Sequence, residues 1–118
     1  VAKKINFQRH VIRLLGLHGI EALHARVEEL QEVYANRFSI ITSRAFTRLE
    51  NFVSLSAPLL AKGGRLIAMK GADAEDEIAA DNDKLLELGF SVSAIHQYNL
   101  PCNMGRHCLV VIKPCQAA

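Results

Sequence analysis

The cations that could do chemistry in this chain stand where its apolar runs stop. Arg44 follows Phe38-Ser39-Ile40-Ile41, and Lys70 follows Arg65-Leu66-Ile67-Ala68-Met69, two stretches of strand character. A Ser43-Arg44-Ala45 turn leads from the first into a segment reaching about Ala61. There Phe46, Leu49, Phe52, Val53, Ser56 and Leu60 are spaced for one buried helical face, while Arg48 and Glu50 point away. Pro58 marks a kink or an early end, and Gly63-Gly64 a stop. Strand, crossover helix, strand is a βαβ unit, whose strands run parallel and whose ligand site lies beyond their carboxyl ends. Arg44 and Lys70 therefore share one edge, with Phe38–Ile41 as a buried strand, and two cations there suit something anionic.

Other polar groups fall at the same level. Ile20-Glu21-Ala22-Leu23-His24-Ala25 alternates like a short strand and is followed by Arg26-Val27-Glu28-Glu29-Leu30. An acidic pair after a strand can receive the polar groups of a nucleotide-like ligand. It equally suits the first turn of a helix, at the positive end of the dipole. Near the C-terminus, Phe90 to Asn99 and Arg106 to Lys113 read as strands, and the short Leu100–Gly105 connection forces them antiparallel. Arg106 and His107 open the last strand. His107 suits a turn or a phosphate contact better than a general base, since no Ser/His/Asp or Cys/His arrangement surrounds it. Cys102, His107 and Cys108 lack the Cys-x-x-Cys pair or second His of a zinc site.

The elements that must position these groups are two further helices. Val1 to about Leu17 places Val1, Ile5, Phe7, Val11, Ile12, Leu14 and Leu15 on one broad half at 100° per residue. Lys3, Asn6, Arg9, His10 and Arg13 take the other half. Lys4 breaks the pattern, falling inside the apolar arc of the first turn; it either reaches over the sheet or snorkels to solvent. Downstream, Asp73 is placed to cap a helix with Glu75, Asp76 and Glu77 in its first turn. That acidic run, through Asp81 and Asp83, reads as a solvated face and lacks the alternating oxygens and central Gly of a calcium loop.

Composition bounds the rest. With 118 residues, 50% of them hydrophobic, the chain makes one domain with a core. A net charge of +2 is too small by itself to argue for nucleic acid, so the placement of the cations carries that argument. The three cysteines, Cys102, Cys108 and Cys115, are odd in number and crowded, which favours a reducing compartment. No apolar run spans a bilayer and no signal-peptide core opens the chain, so a soluble, cytoplasmic protein without membrane partners is expected.

Six segments in order carry a family resemblance: Lys3-Lys4-Ile5-Asn6-Phe7, Arg26-Val27-Glu28-Glu29, Ser43-Arg44-Ala45-Phe46, Ala68-Met69-Lys70-Gly71, Glu75-Asp76-Glu77-Ile78 and Arg106-His107-Cys108-Leu109-Val110-Val111-Ile112-Lys113. Together they resemble the bacterial 16S ribosomal RNA guanine-N7 methyltransferases, also called glucose-inhibited division protein B. The resemblance implies an α/β, Rossmann-like class I methyltransferase fold ending in an antiparallel hairpin. It implies S-adenosyl-L-methionine as cofactor, with Val27 and Glu28 beside its adenosine and Arg44 near the cofactor or the target phosphate. Lys3, Lys4, Lys70, Arg106 and His107 would form the RNA-facing rim toward 16S ribosomal RNA or the small ribosomal subunit. No catalytic base is implied.

The family's glycine-rich cofactor loop and ribose-binding acid would lie upstream of Val1, and the opening helix has no cap before it. The chain is thus expected to be the C-terminal part of the domain, without its first two strands and inactive alone. In the class I order, Ile20–Ala25 and Phe38–Ile41 would be separated by a gap of roughly 14 Å, at about 4.8 Å per strand. Direct pairing of those strands, or self-association with another copy, is expected to close it. The alternatives are a non-catalytic α/β module binding RNA or a protein through the rim, and a different nucleotide-binding α/β enzyme.

Overall fold

A computed structural model describes residues 2–44, 48–103 and 105–115. Four strands form one mixed sheet in the order β1-β2-β4-β3. They are β1 (Phe38–Arg44), β2 (Leu60–Lys70), β3 (Phe90–Asn99) and β4 (Arg106–Pro114). β1 and β2 are parallel, from Ile40 opposite Arg65 to Arg44 opposite Met69, as the βαβ pattern requires. β4 runs antiparallel to both neighbours, with Lys70 opposite Cys108 on one side and Tyr98 opposite His107 on the other.

Helices α3 (Leu49–Ser56) and α4 (Ala74–Glu87) connect these strands and pack on one another over the same face. Their apolar stripes meet the alternate residues of the sheet. Leu49, Phe52 and Val53 of α3 and Ala74 and Leu85 of α4 bury Leu66 and Ala68 of β2 and Cys108, Val110 and Ile112 of β4. Complete burial of a side chain such as Phe52 or Leu85 is worth about 1.5–3 kcal/mol. Among the described residues the opposite face carries no comparable layer: Ile40 is 54% exposed and Met69 39%. The thinnest dimension of the molecule, 22 Å, accordingly fits two layers at about 10 Å each.

Several boundaries differ from the sequence reading. β1 is an edge strand and is not buried; among the described residues Phe38 meets the Tyr34 ring at 5.7 Å but stays 41% exposed, and Ile40 is 54% exposed on the open face. Ile20–Ala25 forms no strand, so the expected pairing with β1 does not occur; an isolated alternating stretch gains no ladder from hydropathy alone. The crossover helix ends at Ser56 instead of about Ala61, as Pro58 passes the chain through a 3₁₀ turn at Ala57–Leu59. Gly63-Gly64 lies inside β2, where the pairing with β1 slips between Phe38 and Ile40. A Cβ on Gly64 would stand 2.8 Å from the Ser39 carbonyl oxygen and 2.9 Å from that of Ala61, so the close approach of β1 demands glycine here. Ala45 and Phe46, assigned to the turn and the helix, lie outside the described residues.

The first third of the chain is more loosely held. α1 (Ala2–Leu15) forms as its periodicity predicts, but Phe7, Leu14 and Leu15 on its apolar half are 64–71% exposed. Arg9 Nε donates to the Ala22 carbonyl, tying α1 to the segment behind it. The short α2 (Val27–Leu30) is followed by Gln31, whose amide donates to Leu55 of α3, and by Asn36 and Arg37, whose backbone N–H groups reach Pro58 and Leu59.

Candidate functional site

The strand register gathers four of the eight expected residues at one edge. Arg44 ends β1 beside Met69, Lys70 ends β2, and β4, running the other way, begins there with Arg106 and His107. Alternation then divides them between the two faces. Lys70 is opposite Cys108, which is buried against the helical layer. Arg44, paired with Met69, and His107, one residue before Cys108, belong to the open face.

On the helical side the edge is fixed by acids of α4. The Arg48 backbone at the start of α3 is extended and its side chain caps nothing, so the first N–H groups of the helix need acceptors. Glu77 supplies one: its Oε1 accepts the Leu49 N–H at 3.0 Å and also Lys70 Nζ at 2.9 Å. Asp81, one turn later, is fully buried and its Oδ1 accepts from the Arg48 guanidinium. Burial pushes the Asp81 carboxyl up, but the Arg48 hydrogen bond, the Glu50 amide and the nearby Arg48 and Lys84 charges outweigh it and hold the group below its ordinary value. Asp81 is therefore not part of a solvated face. The signal lay in the stripe Ala74-Ile78-Asp81-Leu85, where an acid occupies an otherwise apolar position. Arg48 likewise points to α4 and not away from it. Asp73 stands at the N-cap of α4 but makes no capping bond with its side chain.

The remaining expected residues are dispersed. Lys70 is at the edge, yet its side chain is 10% exposed and paired with Glu77. Lys3 and Lys4 are exposed in the first turn of α1. Val27 and Glu28 open α2, with Glu28 in its first turn. Among the described residues, Glu28 makes no ion pair to the Arg44 edge, and the bonds that follow α2 run to the far end of α3.

At the edge itself, Gly71, Ala74, Glu75, Gln97, Arg106 and Cys108 line a pocket of about 60 Å³. Cys108 donates its S–H to the Gly71 carbonyl at 3.5 Å, and burial, with the Glu75 charge adding, pushes its thiol up. Tyr98 and His107 stack across β3 and β4, ring centroids 5.6 Å apart and planes 25° from parallel. Pockets that enclose a nucleotide-sized ligand hold about 300–1,000 Å³. The 60 Å³ pocket is far below that size and the neighbouring hollow of about 340 Å³, lined by Asn99, Leu100, Gly105 and Arg106, is at its lower limit, so the described residues at this edge form one wall of such a site. Among the described residues, no group of His, Cys, Asp and Glu is placed to hold a metal.

A parallel pair continued by an inserted antiparallel strand, with its polar groups at the carboxyl edge, is the Rossmann-like class I methyltransferase fold. It is shared with the crystal structure of M1.HpyAVI at a TM-score of 0.57 and 20% identity, over 80% of this chain and 56% of that one. The family described as GidB, rRNA small subunit methyltransferase G, matches residues 1–107, and the chain belongs to that family. Ribosomal RNA small subunit methyltransferase G of Geotalea uraniireducens is 44% identical over 113 residues, 96% of this chain and 52% of the relative. The protein of that name from Geobacter sulfurreducens is 43% identical over 115 residues, 98% of this chain and 53% of the relative. The chain spans about half the length of the curated relatives it matches. No helix among the described residues is long and apolar enough to cross a membrane.

Proposed function

We propose that this chain supplies the C-terminal part of an S-adenosylmethionine-dependent methyltransferase that modifies guanine N7 of 16S ribosomal RNA in the cytoplasm, and that alone it is inactive. Family membership supports the reaction class, and the N7 target follows from the resemblance carried by the six motifs. The observation that bears most weight is the convergence of Arg44, Arg106 and His107 on one carboxyl edge beside a pocket too small to hold a cofactor. A ring nitrogen with a lone pair needs no proton removed before it is alkylated. The reaction then depends on positioning and charge, which an edge of exposed Arg44 and Arg106 can provide toward phosphates. The half of the relatives that this chain does not match would complete the cofactor site.

The test is a chimera joining this chain to the unmatched half of the Geotalea uraniireducens relative. Assayed with radiolabelled S-adenosylmethionine and unmethylated small subunits, the chimera should label 16S RNA while this chain alone should not. Calorimetry showing tight S-adenosylmethionine binding by this chain alone would overturn the division of the site. A folded chimera that binds ribosomal RNA without methylating it would favour a non-catalytic RNA-binding module.

A further inference from the structure

His107 of that edge stacks against Tyr98, a residue to which the proposed reaction gives no role. Tyr98 closes β3 and is 39% exposed, while His107 opens β4 half-buried beneath it. Register places the pair on the open face. Cys108 faces the helices, so His107 and its partner Tyr98 face away from them, as do Met69, Leu109 and Arg44. Met69, opposite Leu109, makes an apolar floor between Arg44 at one end and the two rings at the other. Two strand spacings and two residues along β4 put Arg44 about 12 Å from His107, within the combined reach of an arginine side chain and a bound nucleotide. Arg106, one residue before His107, falls by the same alternation on the face of Cys108.

An aromatic face beside an apolar floor that ends in a guanidinium group is what single-stranded RNA uses: bases stack on rings, and phosphates meet cations. We propose that the Tyr98–His107 stack is a base platform on which a purine of single-stranded ribosomal RNA lies against the Tyr98 ring, with its backbone directed to Arg44. The platform rests on reading this edge as RNA-facing. It adds to that reading a contact that selects unpaired over duplex RNA, since a base inside a helix has no free face to offer.

The chain has two tyrosines and no tryptophan, so Tyr34→Phe leaves Tyr98 as the one tyrosine emitter. That change keeps the Tyr34 ring, which lies 5.7 Å from Phe38 and beneath Arg37. A purine-rich single-stranded RNA oligonucleotide titrated into Tyr34→Phe protein should quench the emission, and the matching duplex should quench far less. Tyr98→Leu should weaken oligonucleotide binding about five- to a hundred-fold, whereas Tyr98→Phe should stay within about two-fold. The ratio between Tyr98→Leu and the parent should hold as salt is raised, although both affinities fall with their phosphate contacts. Binding without quenching, unchanged affinity in Tyr98→Leu, equal quenching by duplex, or no binding at low salt would each overturn the platform. If the chimera methylates ribosomal RNA and Tyr98→Leu leaves both rate and affinity unchanged, the platform fails while the methyltransferase reading stands.

Discussion

Lys70 Nζ and Glu77 Oε1 lie 2.9 Å apart, and that carboxylate oxygen also takes the first N–H of α3. One side chain thus binds the end of β2 to the start of α3 through α4. Glu77→Gln should lower stability by about 1–3 kcal/mol, as a charge-assisted contact and a helix cap weaken together. Lys70→Met should be destabilising as well, despite lying at the proposed rim. Urea midpoints check both, and an unchanged midpoint in Lys70→Met would return that lysine to a purely RNA-facing role.

Asp81 gives a pH dependence with a definite sign. Its folded-state carboxyl is held below the ordinary 3.8, so its contribution is complete above that value and is lost as pH falls through the lower folded-state value. Asp81→Asn should cost about 2 kcal/mol at neutral pH. The difference between the two proteins should shrink below about pH 4, and thermal melts from neutrality to strong acid follow it.

Gly63 and Gly64 separate backbone conformation from crowding. Gly63→Ala meets no atom within 4 Å but must hold φ at +78, a strain of about 1–2 kcal/mol. Gly64→Ala places its Cβ 2.8 Å from a backbone oxygen of β1 and should cost more, about 2–3 kcal/mol, by forcing the strands apart. Equal losses in denaturant unfolding would contradict the close approach.

Exposed Ile40, on the edge strand β1, should drive association between copies. Ile40→Glu sets a carboxylate beside Arg65, its neighbour on β2, and should shift sedimentation toward monomer with stability changed by less than about 0.5 kcal/mol. An unaltered sedimentation profile would mean that another surface is responsible.

Arg44→Ala in the chimera should reduce methyl transfer about ten- to a hundred-fold, the worth of a hydrogen bond to a charged group, without moving the melting temperature. Full activity in that variant would remove Arg44 from the site.

Much of this architecture was legible because it is local. The βαβ unit and the terminal hairpin follow from apolar periodicity, from Pro58 and from the shortness of the Leu100–Gly105 connection. What escaped depends on neighbours distant in the chain or not among the described residues. Phe38 and Ile40 have the hydropathy of a buried strand, but the described residues leave them 41% and 54% exposed. Asp81 has the residue type of a surface, and only Arg48, thirty-three positions earlier, makes its burial tolerable. A shared edge for Arg44 and Lys70 was expected from the strand ends, and Arg106 and His107 joined them only through the family resemblance. Their division between faces, with Lys70 turned toward Glu77, needed the register.

The strand order has a consequence for synthesis. β4 follows every other strand in the chain yet is threaded between β2 and β3. A nascent polypeptide therefore carries β2 and β3 as separate, half-satisfied ribbons until Arg106–Pro114 emerges, and the interior built on Val110 and Ile112 closes in a single late event. Stalling translation before that point should leave the earlier strands open to proteases and chaperones however much of the chain has been made.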